Sequence, residues 1–413
     1  MPMLTGYTPE GLGYAVRRSG AEVGYCALTI GCGTRDEHPF PSGIAHFTEH
    51  SVFKGTARRS ARSINSCLEI LGGELNAFTT KEEIVIHATV LKEDLGKALG
   101  LLVELATEPS FPSTEIEVEK GVVMDEIQAY KDSPSDDIYD CFEELLFKGH
   151  PLSSPILGTI ESVPLITTEH LRAFTARGFV PGRMVLSMVA DLPEEKMVRM
   201  IMKASSAVKS VPGAQETAKP VREHISPEQR QFNQSVNKDN HEANAVFGGY
   251  APSLGEGRER LVAGLLSNIL GGPASNSILG NVLREKNGWV YGVEASYTPY
   301  LDSGIMAISF GCDHSNLSKA TRAMKRELVK ICESPLGCRS FATAKKQLLG
   351  QMTVSNANGE SQCLGIGKSM LAFGKVTSDE EMRQKIMSIE AEELRREAEK
   401  IFAPDKLSSL IFL

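Results

Sequence analysis

The stretch Ala45–His50, AHFTEH, decides how this chain is read, because it has an echo in the second half at Ala263–Asn268, AGLLSN. Outward from each copy the same order of elements repeats. Before the first copy, GYCALTIG (Gly24–Gly31) reads as a buried strand, and SGIAHFTEHSVFK (Ser42–Lys54) has apolar residues at helical spacing behind an N-cap serine. After it, ARSINSCLEILGG (Ala61–Gly73) reads as a helix stopping at paired glycines, and LNAFTTKEEIVIHATVL (Leu75–Leu91) as two strands joined by a polar turn. Helical patterns over Asp94–Glu108, Pro112–Lys131, Asp136–Leu146 and Thr168–Arg177 follow, and the strand RMVLSMVA (Arg183–Ala190) closes the half. The second half starts over with the strand NAVFGGY (Asn244–Tyr250) and the helices RERLVAGLLSNILGG and SNSILGNVLREKNG. A strand pair, VYGVEASYTPYLDSGIMAISFG, and helices from Ser315 and Phe341 complete it.

An α+β fold is the expectation: two homologous domains from an internal duplication, each a mostly antiparallel sheet packed with helices. At 413 residues the chain exceeds the roughly 250–300 that one core organises, which agrees with two domains. Lys203–Arg230 is rich in Ser, Ala, Pro, Lys and Glu and has no periodic apolar positions, as exposed linkers do. Residues 1–205 are therefore expected as the first domain, 206–229 as a linker and 230–413 as the second.

Composition removes several classes of function. With 41% hydrophobic and 23% charged residues the chain is of ordinary globular make-up. Its net charge of -8, without long like-charge blocks, argues against a phosphate-neutralising surface, so nucleic acid is not an expected partner. The eight cysteines are dispersed and read as reduced thiols. Neither a secretory h-region nor an 18-residue apolar run is visible, so no membrane partner is expected and the cytoplasm is the expected location.

The two copies differ where chemistry would sit. His46, Glu49 and His50 in the first are Gly264, Ser267 and Asn268 in the second. Residues four apart share a helix face, so His46 and His50 can aim imidazole nitrogens at one point, as zinc ligands do, with Glu49 placed as a general base rather than a ligand. This His-x-x-Glu-His order inverts the commoner metallopeptidase motif. Catalytic zinc needs a third protein ligand, and the helix Glu115–Lys131 offers Glu119 and Glu126 two turns apart on one face. Glu126 is taken as the ligand, and Glu119 as an acid that hydrogen-bonds a ligand imidazole or steers the water.

These residues resemble the pitrilysin/insulinase family of zinc metallopeptidases, and in particular its short bacterial members and the mitochondrial processing peptidase subunits. The likeness rests on GIAHFTEHSVFKGT, on EKGVVMDEI with Glu126 at the family's distance from His50, on GGELNAFTTKE (Gly72–Glu82) and on the His150–Thr159 loop HPLSSPILGT. It implies that the strand around Asn76, Ala77 and Phe78 accepts a peptide by β-addition. It also implies that Arg284 and Tyr291, in LREKNGWVY, hold the substrate or polarise its carbonyl. Upstream of that pair the chain departs from many relatives, having Ser277, Ile278, Leu279 and Gly280 where they have Ser-Arg-Leu-Phe.

The expected function is thus a zinc metalloendopeptidase with one Zn2+ per chain, Glu49 taking a proton from water, and Arg284 and Tyr291 supporting the oxyanion. The resemblance implies a homodimer, or a heterodimer with a related subunit, acting on peptides. A non-catalytic peptide-binding or scaffold subunit is the alternative, set against the retention of all four zinc-site residues. A metal hydrolase acting on something other than peptides is a third reading.

Overall fold

A computed structural model describes residues 3–208 and 230–413. The first half contains the strands β1 (Met3–Tyr7), β2 (Gly13–Arg18) and β3 (Val23–Ile30), then the helices α1 (Ile44–Val52) and α2 (Ala61–Glu69). The hairpin β4 (Glu74–Thr79) and β5 (Ile84–Leu91) follows, then α3 (Leu95–Thr107), α4 (Ser113–Lys131), α5 (Pro134–Leu146), α6 (Thr168–Gly178), β6 (Met184–Ala190) and α7 (Glu194–Ser205). In the second half come β7 (Asn233–Val236), β8 (Ala243–Tyr250), α8 (Gly257–Gly271), β9 (Gly292–Pro299) and β10 (Gly304–Cys312). The helices α9 (His314–Glu333), α10 (Cys338–Ser355), α11 (Gly359–Phe373), α12 (Asp379–Met387) and α13 (Ala391–Phe402) lead to β11 (Ser408–Phe412).

The duplication is visible in the strand order. One sheet runs β1-β2-β6-β3-β5-β4 and the other β7-β11-β8-β10-β9, so removing β1 leaves two identical sequences of neighbours. Each is antiparallel except for one parallel pair, β2 with β6 and β7 with β11, at equivalent positions. The expected α+β fold of mostly antiparallel sheets with helices is what forms. One expected helix is shorter: in SNSILGNVLREKNG the helical residues run 278–285, α-type at Ile278 and Leu279 and π-type over Gly280–Glu285, where the Lys286 N–H donates to the Asn281 carbonyl.

Two compact units result, and they are not contiguous in sequence. The first comprises the described residues to Gln128, those from Ser154 to the end of α7, and Val354–Thr377, which carries α11. The second comprises Ala129–Ser153, which carries α5, the described residues from 230 to Thr353, and Ser378–Leu413. The expected split at 206–229 places α11 and α5 each with the other half, and residues 209–229 of that expected linker lie outside the described residues. Each sheet has two apolar faces, and its own half covers one. In the first unit Cys26, Leu28 and Ile30 of β3 pack with α1, α3 and α6 in the main core, while Ala15, Ala27, Val85, Val185 and Val189 meet Cys363, Ile366 and Met370 of α11. Gly367 lets that helix lie close, since a Cβ there would stand 2.9 Å from both Ser187 Oγ and Thr29 Oγ1. In the second unit Ile138, Phe142 and Leu146 of α5 meet Val246, Ala307 and Leu410 in the same way.

Candidate active site

Three ligand-type side chains converge in the first unit. On α1, His46 and His50 lie one turn apart with ring centroids 4.6 Å from each other. Glu126 reaches them from α4, with Oε2 3.7 Å from His46 Nε2 and 3.5 Å from His50 Nε2. Two donors bound to one tetrahedral zinc at roughly 2.0–2.2 Å stand roughly 3.3–3.6 Å apart, so this spacing and the His-His-carboxylate donor set fit that metal. Among the described residues it is the one group of His, Cys, Asp and Glu whose ligand atoms gather closely enough, all within 4.8 Å.

The surroundings fix which atoms face the centre. His50 Nδ1 donates to Glu119 Oε1 at 2.8 Å, leaving the Nε2 lone pair for the metal side. Glu119 is buried, and its other oxygen accepts from Lys54 Nζ at 2.6 Å. Both of its oxygens are therefore engaged, whereas Glu126 is 44% exposed beside the imidazoles. Burial, with the charge of His50 next, pushes the His46 imidazole down to about 3, so this ring is neutral, the form in which histidine binds metals. Burial also raises the Glu49 carboxyl; His50 and a hydrogen bond from Thr79 oppose the rise, and Glu126 adds to it. A carboxylate with raised proton affinity is suited to accept a proton and return it.

Glu49 touches the sheet directly, because Thr79 Oγ1 on β4 donates to Glu49 Oε2 at 2.9 Å. β4 is the last strand of its sheet and pairs with β5 alone, leaving its outer row of backbone N–H and C=O groups free among the described residues. Of the expected peptide-binding residues, Ala77 is half-buried against the core, on the same side of the strand as Thr79, while Asn76 and Phe78 alternate to the opposite, exposed side. Phe78 rests edge-on against His87, with centroids 6.0 Å apart.

Arg284 and Tyr291 belong to the second unit, and both side chains are open, at 62% and 64% exposure. Arg284 sits in the π-type turn and Tyr291 just before β9, where its backbone N–H donates to the Gly311 carbonyl. The α1 counterpart, α8, presents no metal ligands: Ser267 Oγ donates to the Ala295 carbonyl and Asn268 Nδ2 to Gln351. Sequence reasoning missed Lys54 and Thr79. Lys54 lies four residues after His50, in the turn that follows α1, and that spacing within the SGIAHFTEHSVFK helical pattern was the available signal.

Known proteins give this geometry its setting. The family model described as insulinase (peptidase family M16) matches residues 14–160, and that of the M16 inactive domain matches residues 165–348. An uncharacterized zinc protease of Streptomyces coelicolor is 31% identical over 368 residues, covering 88% of this chain and 79% of its own. Another, from Rickettsia felis, is 31% identical over 379 residues, covering 92% and 90%. A third, from Bacillus subtilis, is 29% identical over 383 residues, covering 92% and 91%. Among solved structures, a protease from Helicobacter pylori superposes with a TM-score of 0.91 at 18% identity, covering 100% of this chain and 99% of that one. The M16 inactive domain from Pseudomonas fluorescens gives a TM-score of 0.90 at 19% identity, covering 100% and 98%. At such identities the structures attest the fold, while the curated relatives extend the likeness along most of the sequence. The chain belongs to the insulinase family of peptidases, M16.

Proposed function

We propose that the protein is a zinc-dependent endopeptidase that hydrolyses peptides and short unfolded polypeptides, with one Zn2+ per chain held by His46, His50 and Glu126. The observation that carries this reading is the hydrogen bond from Thr79 to Glu49, which ties a base beside the three ligands to a strand with a free edge. A bound zinc supplies Lewis acidity, polarising a carbonyl and acidifying a water.

The chain's own residues do the rest. β4 takes the substrate as an added strand, so that main-chain hydrogen bonds hold it with little demand on its sequence. Ala77 lies on the helix side of that strand, and Asn76 and Phe78 lie on the outer side, where they meet substrate side chains. Glu49 accepts a proton from the attacking water and delivers it to the leaving amine nitrogen. Glu119 holds the His50 ring in place. Arg284 and Tyr291 donate to the oxyanion as it forms, a contact most effective when it is made only in the transition state. The working particle in this reading is a homodimer, or a heterodimer with a related subunit.

The test joins metal content, by plasma mass spectrometry, to cleavage of a quenched peptide library with and without a chelator. About one zinc per chain is expected, with chelator-sensitive cleavage that Glu49→Gln lowers by about 10²–10⁴-fold while zinc stays bound. Full turnover by Glu49→Gln with normal zinc would remove Glu49 from the mechanism.

A further inference from the structure

The buried acid Glu37 has no part in the chemistry above, and neither do two conspicuous segments, the TKEE turn (Thr80–Glu83) after β4 and the PILGT loop. All three meet at the first turn of α1. That helix begins behind Gly43, whose φ of +88° is left-handed and which has no side chain to cap the first turn. Glu37, 4% exposed, supplies the acceptors instead: Gly43 N–H donates to both of its oxygens at 3.0 Å, and Ala45 N–H to Oε1 at 3.1 Å.

Two other segments press on the same point. Lys81, 3% exposed, lies in the turn between β4 and β5, where its charge acts on Glu37, and its ammonium donates to the Ser154 carbonyl at 2.6 Å. Its neighbour Glu82 pairs with Arg35 at 2.5 Å. From the loop, Gly158 meets Gly43 backbone to backbone: a Cβ on Gly43 would lie 2.7 Å from the Leu157 carbonyl, and one on Gly158 2.6 Å from that of Ser42. Ser162 Oγ closes the contact, donating to the Ser42 carbonyl at 2.7 Å.

The geometry points to Glu37 as a positioning residue: its carboxyl holds the first turn of α1, its own segment is tied to the β4–β5 turn by Thr34 and Arg35 N–H donating to the Thr80 and Lys81 carbonyls, and Gly43 is packed on the 154–159 loop, so that together they set where His46, Glu49 and His50 stand against the edge strand. His46 is the third residue of a nine-residue helix, so displacement of the first turn reaches it undamped. Metal ligands tolerate errors of only about 0.2 Å, which makes zinc affinity a sensitive gauge of the placement. In its metal aspect the inference rests on the function proposed above.

The experiment compares wild type, Glu37→Gln, Glu37→Leu, Lys81→Met and, as a destabilised control, Leu99→Ala in the core of α3. Two quantities are read: zinc affinity by competition with a chromophoric chelator, and hydrogen exchange of the α1 amides in metal-free protein. Glu37→Leu and Lys81→Met are expected to weaken zinc binding about tenfold or more and to speed α1 exchange by a similar factor. Glu37→Gln, which keeps an acceptor at Oε1, should remain within about threefold of wild type, and Leu99→Ala should lose melting temperature but not zinc affinity. Wild-type zinc affinity and α1 exchange in Glu37→Leu would overturn the assignment, as would an equal zinc loss in Leu99→Ala. If Glu37→Leu does not fold, the same wild-type behaviour in Lys81→Met overturns it. A wild type that takes up no zinc defeats the peptidase reading alone, and the exchange comparison then decides the role of Glu37.

Discussion

Glu119 and Glu126 stand two turns apart on one helix, yet their surroundings give them different chemistry. Glu119 is 6% exposed with both oxygens committed, whereas Glu126 keeps its carboxylate beside two imidazole nitrogens. Replacing Glu119 by Gln should therefore leave the three ligands in place but weaken zinc about 10–100-fold, measured by chelator competition, with Lys54→Met moving affinity in the same direction. Glu37 gives a pH prediction. Burial lifts its carboxyl to about 8, although the N–H groups of Ala45 and Gly43 and the charge of Lys81 pull the other way. The folded chain thus holds this proton more tightly than the unfolded chain, whose carboxyl titrates near 4.5. The stability it contributes is full below that value and is lost as pH rises through about 8. The melting temperature of wild type relative to Glu37→Gln should accordingly fall between about pH 5 and 8, and a constant difference would contradict the assignment. At this scale the sequence was most informative for the convergence of His46, His50 and Glu126. The four-residue spacing of His46 and His50 is a local property of one helix, so it survives without knowledge of the tertiary fold. Lys54 and Thr79 were harder to see, because their roles depend on α4 and β4 arriving beside α1.

Elements add constraints that single residues do not carry. The edge position of β4 follows from strand order, and LNAFTT alone does not reveal which strand is last. α11 is a second case. Its Gly367 reads as an unremarkable helix glycine, yet it faces Ser187 and Thr29 at a distance that leaves no room for a side chain. Gly367→Val should lift α11 from β3 and β6 and cost about 1–3 kcal/mol in denaturant unfolding, most of it from overpacking rather than from helix propensity. The helix expected over SNSILGNVLREKNG was too long because its apolar spacing suits several helical turns; the structure is helical there only over 278–285 and turns from α to π type at Gly280.

For the whole molecule, the repeated order of strands and helices was legible because hydrophobic periodicity repeats in both halves, and the two sheets agree neighbour for neighbour. The exchange of α5 and α11 was not legible. Nothing in the periodicity of a helix says which of two similar sheets it will cover. Its consequence is testable: a fragment of residues 1–205 lacks α11 and leaves Ala15, Ala27, Val85, Val185 and Val189 bare. Such a fragment should aggregate or bind a hydrophobic dye, and adding a peptide spanning 354–377 should reduce both effects. Light scattering on the full chain is expected to give two chains per particle, and an active single chain would remove the dimer from the proposed function.

The borrowed helix also imposes a timetable. On the ribosome the strands of the first sheet are all made once Ala190 has been added, but the helix that shields their second face ends at Phe373. At about 5–20 residues per second that interval lasts on the order of 10–40 s. Throughout it the nascent chain carries an apolar surface that only its own later synthesis can cover, so the demand for chaperone attention falls in the middle of translation rather than at its end.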